Sequence, residues 1–163
     1  MTSYTETEKN ILTLYALTTA GAILSMIPLS LLPYAGLACV TVGFIACYIF
    51  RMRNKNNELM VFHTTYLIQT MWWASLILVI GILLFACIIF FNGDLSSIYQ
   101  LMGDAERGLL PEESDIRAMQ GEFVRSNVTL ILIAAIFCLL PFPLYILFKT
   151  LEGVKILTKK AEI

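Results

Sequence analysis

The sequence predicts an all-α integral membrane protein, a four-helix bundle that opens with a short helical hairpin. Three observations carry that prediction. Of 163 residues, 58% are hydrophobic and only 14% charged, where an ordinary soluble domain has about 25% charged. Asp, Glu, Lys and Arg are absent from three long stretches, 10–50, 59–93 and 126–148, of 41, 35 and 23 residues. Mean hydropathy is +0.78, and a soluble domain of this size has no core large enough for the 99 charge-free residues. Each stretch meets or exceeds the roughly 20 apolar residues with which a helix, rising about 1.5 Å per residue, crosses a hydrocarbon core of about 30 Å.

The elements follow in order. Residues 1–9 form a cytoplasmic N-terminus. Stretch 10–51 is too long for one crossing and suits two short helices, 10–28 and 33–51. Pro28 and Pro33 mark the break, because each lacks a backbone donor and disfavours helix in the residue before it. A re-entrant hairpin that turns back inside the bilayer is the alternative for this pair. No basic leader or cleavage pattern precedes the first helix, so it is read as a retained anchor. A basic link, 52–63, leads to a third helix over 64–91, long enough to cross with tilt. An acidic loop, 92–126, follows. It starts at the helix stop Asn92-Gly93-Asp94, contains a weakly amphipathic run from Leu95 to Met102, and starts a new helix at Pro111-Glu112-Glu113. That helix is expected to run through Ile116, Met119 and Phe123 into the fourth crossing, 127–149, which tolerates Pro141 and Pro143 near its end. The tail, 150–163, places Leu151, Val154 and Leu157 among lysines and is expected to lie on an anionic headgroup surface.

Basic residues set the orientation. Four crossings put Lys9, the link residues Arg51, Arg53 and Lys55, and the tail residues Lys149, Lys155, Lys159 and Lys160 on one side; the loop carries Arg107, Arg117 and Arg125 on the other. Eight against three predicts a multi-pass protein of the bacterial inner (plasma) membrane with both termini cytoplasmic and the acidic loop outside.

Residues that bear chemistry are few. His63, the only histidine, stands where the link enters the third helix. It reads first as a helix-start or interfacial histidine bonded to a carbonyl, and second as a proton-responsive switch or headgroup contact. Tyr66 and Thr70 fall at i+3 and i+7 from it, with Gln69 near the same face, so His63, Tyr66, Gln69, Thr70 and Trp72 form a candidate polar cluster that bonds to neighbouring helices or lines a wet crevice. Trp72 and Trp73 are assigned to bundle packing ahead of an interfacial belt. Cys39, Cys47, Cys87 and Cys138 all fall within predicted crossings, with no C-x-x-C pair to suggest zinc or redox chemistry. Ala35, Cys39, Gly43 and Cys47 recur every four residues as a stripe of small side chains suited to close helix packing. Asn127-Val128-Thr129 fits the glycosylation pattern but abuts the membrane and is read as chance. No catalytic or phosphate-binding motif occurs, and neither a cofactor, a metal nor a nucleic acid is expected.

Over most of residues 11–75 and 130–158 the chain resembles a bacterial family of small, uncharacterised four-span membrane proteins, loosely linked to the chloroplast inner-envelope import component. The resemblance rests on Arg51 in the link, then His63, Tyr66 (where the family has Trp), Ile68, Thr70 and Trp72, and near the end Tyr145, Lys149, Gly153 and Leu157. Leu67 and Gln69 stand where many members carry glutamine and arginine. It implies a fold and topology more than an activity. The expected function is therefore non-enzymatic: a subunit or assembly factor of a larger membrane complex, whose partners are the lipid bilayer and other membrane subunits or further copies of itself. A small transport or protein-translocation component with a polar crevice or oligomeric pore is the second expectation, and an enzyme acting on lipid the third.

Overall fold

The computed structural model describes residues 5–27, 31–108 and 112–160. All regular structure among them is helical: α1 (Glu6–Met26), α2 (Leu32–Arg53), α3 (Glu58–Asn92), α4 (Ser96–Glu106), α5 (Glu113–Cys138) and α6 (Pro141–Lys160). Pro28 and Pro111, on which two expected helix boundaries rest, lie outside the described residues. The all-helical class stands as predicted. Three helical stretches are long and apolar enough to cross a membrane: Leu32–Arg53, Glu58–Asn92 and Glu113–Lys159, the last containing both α5 and α6. Helix α1 is not among them, since Glu6, Glu8 and Lys9 occupy its first turns and Thr13, Thr18 and Thr19 dilute the rest.

Local chemistry sets the ends. Thr5 and Glu8 form a reciprocal capping box at the start of α1, the Thr5 hydroxyl accepting the Glu8 N–H at 3.3 Å and the Glu8 carboxylate accepting the Thr5 N–H at 2.7 Å. Pro33 sits in the first turn of α2, where the missing N–H has no helical acceptor in any case. Helix α3 begins six residues earlier than the expected 64, because the Asn57 side chain accepts the Met60 N–H at 3.1 Å and caps the new helix there. Glu112 and Asp115 cap α5 in the same reciprocal manner as α1. The single fourth crossing expected over 127–149 is divided: α5 ends at Cys138 and α6 starts at Pro141. Pro141 and Pro143 supply no N–H to the carbonyls of Phe137 and Leu139, so the ladder breaks across Leu139 and Leu140.

The chain divides into two compact units. In the unit of Met1–Val79 and Leu140–Ile163, α1 packs against both α2 and α6. One buried cluster joins Ile11, Leu14 and Tyr15 of α1 to Cys47 of α2, Met60, Leu67 and Ile68 of α3, and Leu157 of α6. A second joins Ala22, Val40, Met71, Ala74, Phe142 and Ile146. The α1–α2 approach is closest at Gly21 and Gly36: a Cβ on Gly36 would lie 2.6 Å from the Gly21 carbonyl oxygen, and one on Gly21 would lie 2.9 Å from the Gly36 oxygen. Neither position has room for a side chain. The segment from residue 150 is the second half of α6, with Thr150, Gly153 and Leu157 buried and Leu151 exposed. Its buried face steps by three and four residues, a helical stripe that α1 covers.

In the unit of Ile80–Leu139, the end of α3 and α5 run side by side. Gly81 comes so close to the Cys138 carbonyl that a Cβ there would collide with it. Near the other end, Asn127 ties the two together: its Oδ1 accepts the Asp94 N–H at 2.7 Å, and its Nδ2 donates to the carbonyls of Asp94 and Phe123, each at 2.9 Å. Ser96, through its hydroxyl and then its N–H, holds the Asp94 carboxyl below the usual carboxylate range. Helix α4 packs on α5, so the acidic segment is largely helical.

Two substitutions check this packing. Gly36→Val is expected to destabilise the protein by about 1–3 kcal/mol through overpacking, measured by denaturant titration in mixed micelles. Gly103→Ala, where a Cβ meets nothing within 4 Å, should leave stability unchanged or slightly raised.

Candidate functional site

The expected polar cluster lies on the first half of α3, and its members turn to different neighbours. His63 is 1% exposed. Its Nδ1 lies 3.0 Å from the Tyr15 hydroxyl of α1, in hydrogen-bond contact, and its ring meets those of Tyr15 and Phe62 edge to face at 5.8 and 5.2 Å. It is thus a buried inter-helix residue, in the second turn of α3 and not at its start. Tyr66 turns to α6: its hydroxyl donates to the Glu152 carboxylate at 3.0 Å and lies 3.2 Å from the Lys149 carbonyl. Lys149 pairs with the same carboxylate at 2.8 Å and holds its ammonium 6.0 Å above the Tyr66 ring. Thr70 is buried and donates to the Tyr66 carbonyl of its own helix at 2.9 Å.

Trp72 belongs elsewhere. Nine residues from His63 is about 900°, which puts it on the opposite face of the helix. There its indole N–H donates to the Tyr48 hydroxyl of α2 at 3.2 Å, and its ring meets Phe44 edge to face at 6.1 Å. Trp72 and Trp73 remain 62% and 60% exposed. Trp72 thus meets α2 by one edge, while the rest of its ring, like that of Trp73, is open to whatever surrounds the chain.

Gln69 alone of the cluster is exposed and without a hydrogen bond to another side chain. It sits at one end of an open groove of about 520 Å³ lined by Glu58, Val61, Phe62, Thr65 and Tyr66. A smaller hollow of about 90 Å³ lies between α2 and α3, closed by Phe142 and holding two hydroxyl residues, Thr41 and Ser75, among apolar neighbours.

The packing stripe of α2 is rotated from the expected one. Gly36, Val40, Gly43 and Cys47 are buried; Ala35 is exposed and Cys39 half-buried. A strict four-residue step overshoots a turn by roughly 40°, so Ala35 and Cys47 end about 120° apart, whereas steps of four, three and four stay within about 60°. The cysteines are free, and among the described residues no three His, Cys, Asp or Glu side chains gather as metal ligands. Arg51, Arg53, Lys55 and Lys155 are exposed.

Sequence reasoning missed Tyr15 and Asn57, and gave Gly153 and Asn127 no packing role. Tyr15 is fully enclosed, and Gly153 of α6 lies against it so closely that a Cβ would coincide with the phenol. Beside them the Thr19 hydroxyl donates to the Thr150 hydroxyl at 3.1 Å. Asn57 had a readable signal, a capping residue followed by an acidic first turn. Asn127, taken as a chance glycosylation match, is 4% exposed and fully bonded.

The fold defines a class at one level: an all-helical protein with, among the described residues, three stretches long and apolar enough to cross a membrane. No known protein family matches the chain, and neither a curated protein nor a solved structure matches it.

Removing the hydroxyl in Tyr15→Phe should cost about 0.6 kcal/mol, the typical worth of an inter-helix hydrogen bond in a membrane protein. Gly153→Val should cost more, because the Tyr15 ring has nowhere to move, and the two variants are to be ranked by unfolding in micelles. Equal stabilities would contradict the close contact.

Proposed function

We propose that the chain is a non-enzymatic, multi-pass inner-membrane protein with both termini cytoplasmic, acting as a subunit or assembly factor of a larger membrane complex. The observation that carries this reading is how the polar groups are placed. His63, Thr70, Thr18 and Thr150 are buried and engaged in inter-helix or backbone bonds, while the outward faces of α2 and α3 present Tyr48, Met52, Phe62, Trp72 and Trp73. Exposed Trp and Tyr on rigid helices suit burial against another protein. The resemblance of the His63–Trp72 segment to small four-span proteins fits the same topology.

Orientation is supported by how the helices run. Contacts rise along α1 from Thr18 to Gly21 as they fall along α2 from Gly43 to Gly36, and from Tyr15 to Thr19 as they fall along α6 from Gly153 to Thr150. Both neighbours are antiparallel to α1. Lys9, the Arg51–Lys55 link and the Lys155–Lys159 tail therefore gather at one end of their unit, as one cytoplasmic face requires. Because α1 travels with α2, the hairpin keeps its two ends on one side whether it crosses fully or turns back.

Transport through a polar crevice is the second reading, favoured by Gln69 on its open groove. In vesicles it predicts solute flux that drops in Gln69→Leu and Thr70→Val; the subunit reading predicts none that depends on them. Mild solubilisation from the native membrane, followed by mass spectrometry, should yield the chain in a larger assembly, and a lone 18.3 kDa species would overturn the proposal. With the native cysteines replaced, a label on Ala105→Cys should react only from outside the cell.

A further inference from the structure

We propose that the groove along the first half of α3 is a binding site for a phospholipid with a primary-ammonium headgroup. The groove runs from Glu58 to Gln69, about 16 Å along the helix at 1.5 Å per residue. Glu58 is the last charge before the 35-residue charge-free stretch 59–93, so the groove leads from the charged end of a membrane-crossing helix into its apolar part. That is the path of a lipid from headgroup to acyl chain. Its volume, about 520 Å³, is in the range of ligand sites.

The lining matches such a molecule from end to end. The Glu58 carboxylate is exposed, forms none of the ion pairs among the described residues, and faces the headgroup layer as an acceptor for N–H donors. Phe62, half-exposed, offers a ring to the ammonium on one side and to methylenes on the other. Tyr66 is fixed by Glu152 and Lys149, so this wall is already ordered before anything binds. Gln69, at the deep end, has an amide that can donate to an ester carbonyl oxygen of the lipid, a group that otherwise lies costly and unpaired in an apolar setting. Thr65 is not a donor, because its hydroxyl is given to the Val61 carbonyl at 2.6 Å.

Charge selects the headgroup. The only charged residue lining the groove is negative, and Lys149, over the Tyr66 ring, is paired with Glu152. An anionic headgroup would meet Glu58 with no cation in the groove lining. A choline headgroup has no N–H to donate to it. An ethanolamine headgroup has three, and fits.

The proposal rests on the membrane placement of α3, not on the chain having a protein partner, so its test uses the isolated chain. The full-length protein is reconstituted in vesicles with equal parts of ethanolamine, choline and glycerol phospholipids, re-extracted in mild detergent, and the lipid that stays bound is quantified. Ethanolamine lipid should be enriched over both others. Glu58→Gln should lower that enrichment by up to about fivefold, the worth of a partly exposed ion pair, and Gln69→Leu should lower retention of all three. Glu58 is exposed and Gln69 bonds to no other side chain, so both variants should keep the parent's helical circular dichroism. Equal retention of the three lipids, preference for the glycerol lipid, or unchanged selectivity in Glu58→Gln would overturn the site.

Discussion

The structure depends on α1 being able to lie against two helices at once, and glycine makes that possible. Gly21 and Gly36 bring the backbones of α1 and α2 together, and Gly153 lets α6 close over the Tyr15 ring. In a membrane these contacts do not gain from the hydrophobic effect, since lipid tails are as apolar as leucine. Close van der Waals packing and hydrogen bonds between helices must hold the unit. The glycines supply the first, and Gly153, three residues from Thr150, brings α6 close enough for Thr19 and Thr150 to reach each other.

Helix α1 falls outside the three stretches apolar enough to cross a membrane, and the same contacts explain how it is accommodated. Its hydroxyls are satisfied inside the protein, Thr18 on the Leu14 carbonyl and Thr19 on Thr150, so they present no unpaired group to hydrocarbon. Its capped first turn, with Glu6, Glu8 and Lys9, sits at the charged end with the Arg51–Lys55 link, where Thr7 accepts a hydrogen bond from Asn57 at 3.1 Å. Composition alone sets α1 apart from the three membrane-competent stretches; packing ties it to two of them.

Much of this was legible in the residues. Charge-free runs gave the helical class and the positions of α2 and α3 to within a few residues, because length and polarity alone decide whether a helix suits a bilayer. The two glutamates after Pro111 announced α5, and Asn92-Gly93-Asp94 announced the end of α3. What stayed hidden was rotation and pairing. A list of polar residues at i, i+3 and i+7 does not tell which neighbour each one meets, so His63 and Tyr66 looked like one cluster though they bond to α1 and α6. The four-residue spacing of Ala35 to Cys47 drew attention to the wrong side of α2. The contacts of Tyr15 with His63 and Gly153 link residues 48 and 138 positions apart in sequence, and no local pattern encodes them. The break between α5 and α6 falls at Pro141 and Pro143, where proline predicts a kink, inside the one apolar stretch Glu113–Lys159.

Cysteine cross-linking in the native membrane tests most directly whether α1 is held between α2 and α6. With the four native cysteines replaced, Thr19→Cys and Thr150→Cys take the places of two hydroxyls 3.1 Å apart, a separation that permits a disulfide. The account predicts rapid, high-yield cross-linking of this pair within one chain, and little of it when Thr19→Cys is combined with a cysteine at the outward-facing Leu151. No cross-link at Thr19 and Thr150, or equal yields for the two pairs, would contradict it.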